Sequence, residues 1–290
     1  MRRYQLGIPL KTTFFKLTGV ALPVSLLISA CGISTPFVGG SQEKNSLTGS
    51  PGSNGKVLAV KIDDTPPAHP QIGLASADVV YVEQVEGGLT RLAAIFTSKI
   101  PENIGPVRSA RISDLDILAQ YGKVAFAYSG AQTAFRPRIK EANLIDLSAE
   151  HEPPTIYFRD PSREAPTNMI LNAPALLTKA EKEGAAIETA KSVGWEFGNK
   201  PDNGKEIISA TVRWPASRYT FTWSTREERW LISYRDQPNV DSTGFQLGPK
   251  TVLIQLVSIV NSEYHDKFGG ITPLSKTVGV GFGYLLRDGE

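Results

Sequence analysis

The spacing of apolar positions changes along this chain and divides it into a leader, a polar stretch, a strand-and-helix region and a strand-only region. The first strand-like run is Val57-Leu58-Ala59-Val60-Lys61-Ile62, closed by Asp63-Asp64 and the breakers Pro66-Pro67. Asp78 to Glu83 predicts a second strand ending near Gly87-Gly88, and Arg91 to Phe96 a third. After Gly105-Pro106, the positions Ile112, Leu115, Leu118 and Ala119 fall on one helical face. Val124 to Tyr128 reads as a strand, Gln132 to Ala142 as a helix disturbed by Pro137, and Thr155 to Phe158 as a short strand. Asn172 is placed to cap a helix over 173–183, with Pro174 early in it and Gly184 at its end. Beyond Ile207 only strand patterns recur, at Ala210–Trp214, Tyr219–Trp223, Arg229–Tyr234 and Thr251–Val257. The expected fold class is therefore α+β: a mixed α/β domain with a central sheet and helices over 57–184, a connector over 185–205, and a smaller β-rich domain over 206–290. Trp214, Trp223 and Trp230 are expected in the core of the second domain. The strand Tyr284-Leu285-Leu286 runs into Arg287-Asp288-Gly289, a hairpin turn signal, so this domain is expected to be C-terminally shortened here.

Residues 1–30 carry four cations (Arg2, Arg3, Lys11, Lys16), no acid, and an apolar run from Leu17 to Ile28. This is the layout of a secretory leader, and the run is too short for a membrane span, which takes ~20 apolar residues. Ile28-Ser29-Ala30-Cys31 has the lipobox pattern of bacterial lipoproteins, in which the thiol is acylated and the leader removed. Cys31 is thus the expected lipidation site, the membrane is expected as a partner through that lipid, and the body is expected on the extracytoplasmic face of the cell membrane. Residues 31–56, rich in Gly, Ser, Pro and Asn, read as a flexible tether with a reach of about 25–30 Å.

The leader also alters the charge. Of 31 Lys+Arg against 29 Asp+Glu, four cations belong to the leader, which leaves 27 against 29. Nothing in that balance suggests nucleic acid. With Cys31 lipidated the folded part has no thiol, hence no disulfide framework, no cysteine-ligated metal and no cysteine nucleophile. His69, His151 and His265 lack neighbours at metal-ligand spacing, so no metal is expected. The absence of a P-loop and of a GxGxxG at a strand–helix junction leaves no cofactor expected.

Polar residues are densest between Glu83 and Arg111, in EQVEGGLTR and IGPVRSAR. Arg108 and Arg111 fall at the start of the predicted helix, with Ser109 a candidate N-cap. Cations there oppose the helix macrodipole by ~0.3–1 kcal/mol each. Two arrangements offset this: an anion held by the arginine forks and free N–H groups, or internal pairing with Glu83, Glu86, Asp114 or Asp116. A second cluster, Arg159 to Asn168, lies between a strand and a capped helix and reads either as a binding loop or as a salt-bridged turn. Tyr128-Ser129-Gly130 ends a strand where pockets form in α/β sheets. Glu83 and Glu86 are a paired-carboxylate candidate for general acid/base work.

GLASADVVYVEQVEGGLTRLAAIF (73–96), IGPVRSAR (104–111) and FRDPSREAPTN (158–168) resemble the YerB-like bacterial lipoproteins, a family whose domain has no assigned function. The resemblance covers roughly 57–180 and more weakly the strand-rich part. It implies a lipoprotein leader and two consecutive domains, and it suggests that the Arg/Glu/Gly segments form one site. The chain departs from the family pattern at Thr167, where a histidine is usual. The leading expectation is a membrane-anchored binding module whose ligand-binding set is Arg91, Arg108, Arg111, Tyr128, Arg159, Arg163 and Asn168, taking an anionic envelope ligand. The alternatives are an envelope hydrolase or transferase using Glu83 or Glu86, and a structural or interaction protein in which the arginines are plain ion-pair partners.

Overall fold

In a computed structural model the described residues are 43–266 and 268–290; the leader and Cys31 lie outside them. The strand-and-helix region is built on a five-stranded sheet of β1 (Leu58–Asp63), β2 (Val79–Gln84), β3 (Thr90–Phe96), β5 (Val124–Ala127) and β6 (Leu144–Asp146), ordered β2-β3-β1-β5-β6. β4 (Asn103–Ile104) lies instead in a small sheet with β7 (Tyr157–Arg159) and β8 (Met169–Asn172). β1 runs antiparallel to β3 and parallel to β5, which is parallel to β6.

Alternation along β1 sends its side chains to two separate cores. Leu58, Val60 and Ile62 pack with Leu92, Phe96, Leu171 and Leu176, the last on helix α3 (Ala173–Lys182). Val57 and Ala59 face Ile117, Leu118 and Tyr121 beside helix α1 (Ile112–Ala119), with Phe135 and Ile139 beside and on α2 (Arg136–Glu141). Lys61 falls on the α1 face, and every residue of β1 is buried. The Asn172 side chain accepts the Ala175 N–H at 3.0 Å, the cap expected for α3.

The strand-only region forms a four-stranded sheet of β9 (Ser209–Trp214), β10 (Ser217–Ser224), β11 (Arg229–Tyr234) and β12 (Gln237–Pro238). Two ribbons follow, β13 (Thr251–Leu256) with β16 (Phe282–Arg287), and β14 (Ile259–His265) with β15 (Ile271–Ser275). Trp230 is fully buried, and Trp214 and Trp223 pack partly buried around it. With helices at 13% and strands in several sheets, the fold is more sheet-rich than a balanced α+β protein.

Two expectations change. The stretch expected as tether is laid on the body from residue 43: Leu47 is buried, and the buried Asn45 side chain donates to Thr97 Oγ1 at 2.9 Å. Turn residues there make Asn-centred loops, such as Ser46 N–H to Asn54 Oδ1 at 2.7 Å, rather than a solvated linker. Ser109 is not a cap either. α1 begins at Ile112, and the Asp114 carboxylate accepts the Arg111 N–H at 2.6 Å.

Candidate functional site

The carboxyl ends of the parallel strands β1 and β5 and the first turn of β3 meet at one edge of the main sheet. Charged groups concentrate there. Lys61, wholly buried, sits between Glu83 and Asp114, with its ammonium 2.7 Å from Asp114 Oδ1 and in contact with Glu83 Oε1. Burial pulls the Lys61 pKa down from 10.5 to about 8, and Asp114 opposes the shift. Arg111 holds Glu86 through Nε and Nη2 at 2.8–2.9 Å, and the Thr272 hydroxyl of β15 donates to the same carboxylate. Burial acts to raise the Glu86 carboxyl, but the Arg111 bonds and charge, with Thr272, outweigh it and hold the group below its ordinary 4.5. Arg108 gives Nε to Asp63 Oδ2 at 2.6 Å.

Arg91 is the exception. Its residue is only 9% exposed, yet no carboxylate lies within ion-pair distance among the described residues. Its one hydrogen bond runs from Nη1 to the Ser109 carbonyl at 3.0 Å. Burial, followed by the charges of Arg111 and Arg108, pulls its pKa from 12.5 down to about 9. The distribution of partners explains this: Lys61 takes two carboxylates, Arg111 and Arg108 one each, and Arg91 none.

Next to this cluster Asp64 accepts the Tyr219 hydroxyl at 2.5 Å and the Thr90 hydroxyl, with Gln71 Nε2 at 3.3 Å and His69 Nε2 at 3.2 Å. The Tyr234 hydroxyl donates to the Asp64 carbonyl at 2.8 Å. Adjacent aspartates at the end of β1 thus point to different partners, Asp63 to Arg108 and Asp64 to the strand-rich region.

The other expected ligand-binding residues are not joined to the arginine cluster by any hydrogen bond or ion pair. Tyr128 is buried, and its hydroxyl pKa is raised by burial and then by Asp146. Arg159 donates to Asn168 Oδ1 at 2.6 Å, and Arg163 to the carbonyls of Ala68 and Pro70 at 3.2 and 2.6 Å. With Arg163 Nε also 3.4 Å from Asp160 Oδ2, residues 159–168 form a turn docked on the 68–70 segment. Thr167 is buried, its hydroxyl spent on the Glu164 carbonyl at 2.9 Å.

Three of the expected site residues, Arg111, Glu86 and Glu83, are held by partners. Arg111 is spent on Glu86, and a small hollow beside it is lined by Gln132, Phe135, Tyr264 and Thr272. Glu86, held ionised by Arg111, is unsuited to a general acid. Glu83 is buried against Lys61, with its second oxygen unbonded among the described residues. Sequence reasoning passed over Lys61 and Asp63 as site residues. Their signal was charge inside a run otherwise buried on both faces, the mark of a central strand with paired ions. No group of three His, Cys, Asp or Glu suited to a metal occurs among the described residues.

Two family models match, the N-terminal domain of the protein of unknown function DUF3048 over residues 47–186 and its C-terminal domain over 210–290. The chain belongs to the DUF3048 family. It is 26% identical over 211 residues to a Bacillus subtilis (strain 168) protein described as "Putative lipoprotein YerB", which covers 72% of this chain. The chain spans 62% of that relative's length. The crystal structure of the YerB protein from Bacillus subtilis has a similar fold, with a TM-score of 0.72 at 22% identity, over 86% of this chain and 84% of that one.

Proposed function

We propose that the chain is a lipid-anchored extracytoplasmic binding module that takes an anionic group of the cell envelope on Arg91 and Arg108. The anchor rests on the Cys31 lipobox and on the likeness to a protein described as a lipoprotein. No helix among the described residues is long and apolar enough to cross a membrane.

The observation that carries the binding reading is the Arg91 guanidinium, buried beside two like charges and with no carboxylate at ion-pair distance among the described residues, although Glu86 and Asp63 lie near enough to offset part of the cost. Burying an unpaired cation is costly, and a bound anion removes most of that cost. Arg108 supplies the second fork. Its side chain is 28% exposed, only Nε is committed, and both terminal nitrogens are without partners among the described residues. Phosphate and carboxylate are the groups such forks fit.

Thermal unfolding of the full chain with inorganic phosphate tests this. Phosphate is expected to raise the melting temperature of the wild type, and Arg91→Gln and Arg108→Gln to lose that response. Equal shifts in wild type and both variants would remove the two arginines from the site.

A further inference from the structure

Glu150 lies near the backbone that holds Arg91. Ser109, whose carbonyl holds Arg91, also donates its hydroxyl to the Ser129 carbonyl at 3.0 Å, at the end of β5. Gly130 follows with φ +83°, and Ser109 and Glu150 flank the place where a side chain would stand. A Cβ there would lie 3.7 Å from Ser109 Oγ and 3.8 Å from Glu150 Oε1, with nothing nearer. Glu150 comes from the segment after β6, fixed in place by the Ala149 N–H to the Tyr128 carbonyl at 2.9 Å. Arg91, Arg108, Ser109, Gly130 and Glu150 thus gather at the carboxyl ends of β1, β5 and β6, where open α/β sheets bind ligands.

A carboxylate beside an arginine pair weakens the hold on a bare anion, and it accepts donors instead. Glu150 meets Arg136 Nη2 at 2.8 Å, but both side chains are more than two-fifths exposed, and exposed pairs contribute little to stability. Its second oxygen is unbonded among the described residues, as is the Ser129 hydroxyl. The site thus offers cationic forks at one end and acceptor and hydroxyl groups at the other.

We infer that the ligand is a polyol phosphate, its phosphate on Arg91 and Arg108 and its hydroxyls read by Glu150 and the two serines across Gly130. The inference rests on the anion-binding reading above and adds the chemistry of the rest of the ligand. A sugar phosphate, a glycerol-phosphate polymer and a phosphatidylglycerol headgroup share that chemistry.

Calorimetric titration of the full chain with inorganic phosphate, glycerol 1-phosphate and glucose 1-phosphate tests it, with Glu150→Ala alongside wild type. At least one polyol phosphate is expected to bind wild type about tenfold more tightly than inorganic phosphate, the effect of one hydrogen bond to a charged group. Glu150→Ala, which frees Arg136, is expected to erase that preference while leaving phosphate binding unchanged or stronger. Equal affinities in wild type, or a preference that survives Glu150→Ala, would overturn the inference and leave the anion site standing. Failure of all three ligands to bind would overturn the anion site as well. Co-sedimentation with phosphatidylglycerol vesicles against phosphatidylcholine vesicles separates the sources: Glu150-dependent capture marks a lipid headgroup, and its absence, with soluble binding intact, marks a soluble or polymer-borne ligand.

Discussion

A lysine in the fourth position of a short strand ordinarily reaches solvent by its long stem. Lys61 does not; it ends between Glu83, 22 residues away, and Asp114, 53 residues away. Neither distance is visible in local spacing, which is why the sequence reading passed over it. Removing one member of such a buried set strands the others, so Lys61→Met is expected to destabilise the fold by about 3–5 kcal/mol in urea denaturation. Glu86 gives a pH dependence of definite sign. Its folded-state pKa lies below the 4.5 of a free glutamate, so its stabilisation is full above that value and is lost as pH falls through the lowered one. Unfolding free energy measured from about pH 6 down to about pH 3 is expected to fall more steeply in wild type than in Glu86→Gln. The pairing of Arg111 with Glu86 was among the partners that residue types allowed, and burial of both side chains selected it.

Elements governed by local rules were legible. α3 has its Asn172 cap, Pro174 in the first turn and Gly184 past its end, as the sequence reads. Asn172→Ala is expected to cost about 1 kcal/mol of unfolding free energy. β4, β6, β8, β12, β14 and β15 were missed, because strands of two to four residues and long-range ribbons carry little periodic signal. The strand end expected near Gly87-Gly88 needs glycine for a reason that lies in another element. Gly88 has φ +70°, its carbonyl accepts the Ala216 N–H at 2.9 Å, and a Cβ on it would stand 2.5 Å from Pro215 Cβ. Gly88→Ala combines left-handed strain with that clash, so it is expected to destabilise by about 1–3 kcal/mol or more. A drop in denaturant midpoint, with far-ultraviolet circular dichroism unchanged before the transition, would register it.

Across the whole molecule, the strand-rich region completes the charged edge of the main sheet. Tyr219 and Tyr234 hold Asp64, the Ser217 hydroxyl donates to the Thr90 hydroxyl oxygen at 2.9 Å, and Thr272 and Ser275 of β15 reach Glu86 and Ser113. These contacts join segments matched by two separate family models, and no pattern within either segment announces them. Among the buried cations of the described residues, Arg91 is left with no carboxylate at ion-pair distance, and the functional reading depends on it. The most direct test is calorimetric titration of inorganic phosphate into the full chain as wild type and as Arg91→Gln, with Arg159→Gln as a control outside the cluster. The account predicts saturable binding that Arg91→Gln abolishes and Arg159→Gln leaves intact. Binding unchanged by Arg91→Gln, or lost equally in both variants, would contradict it.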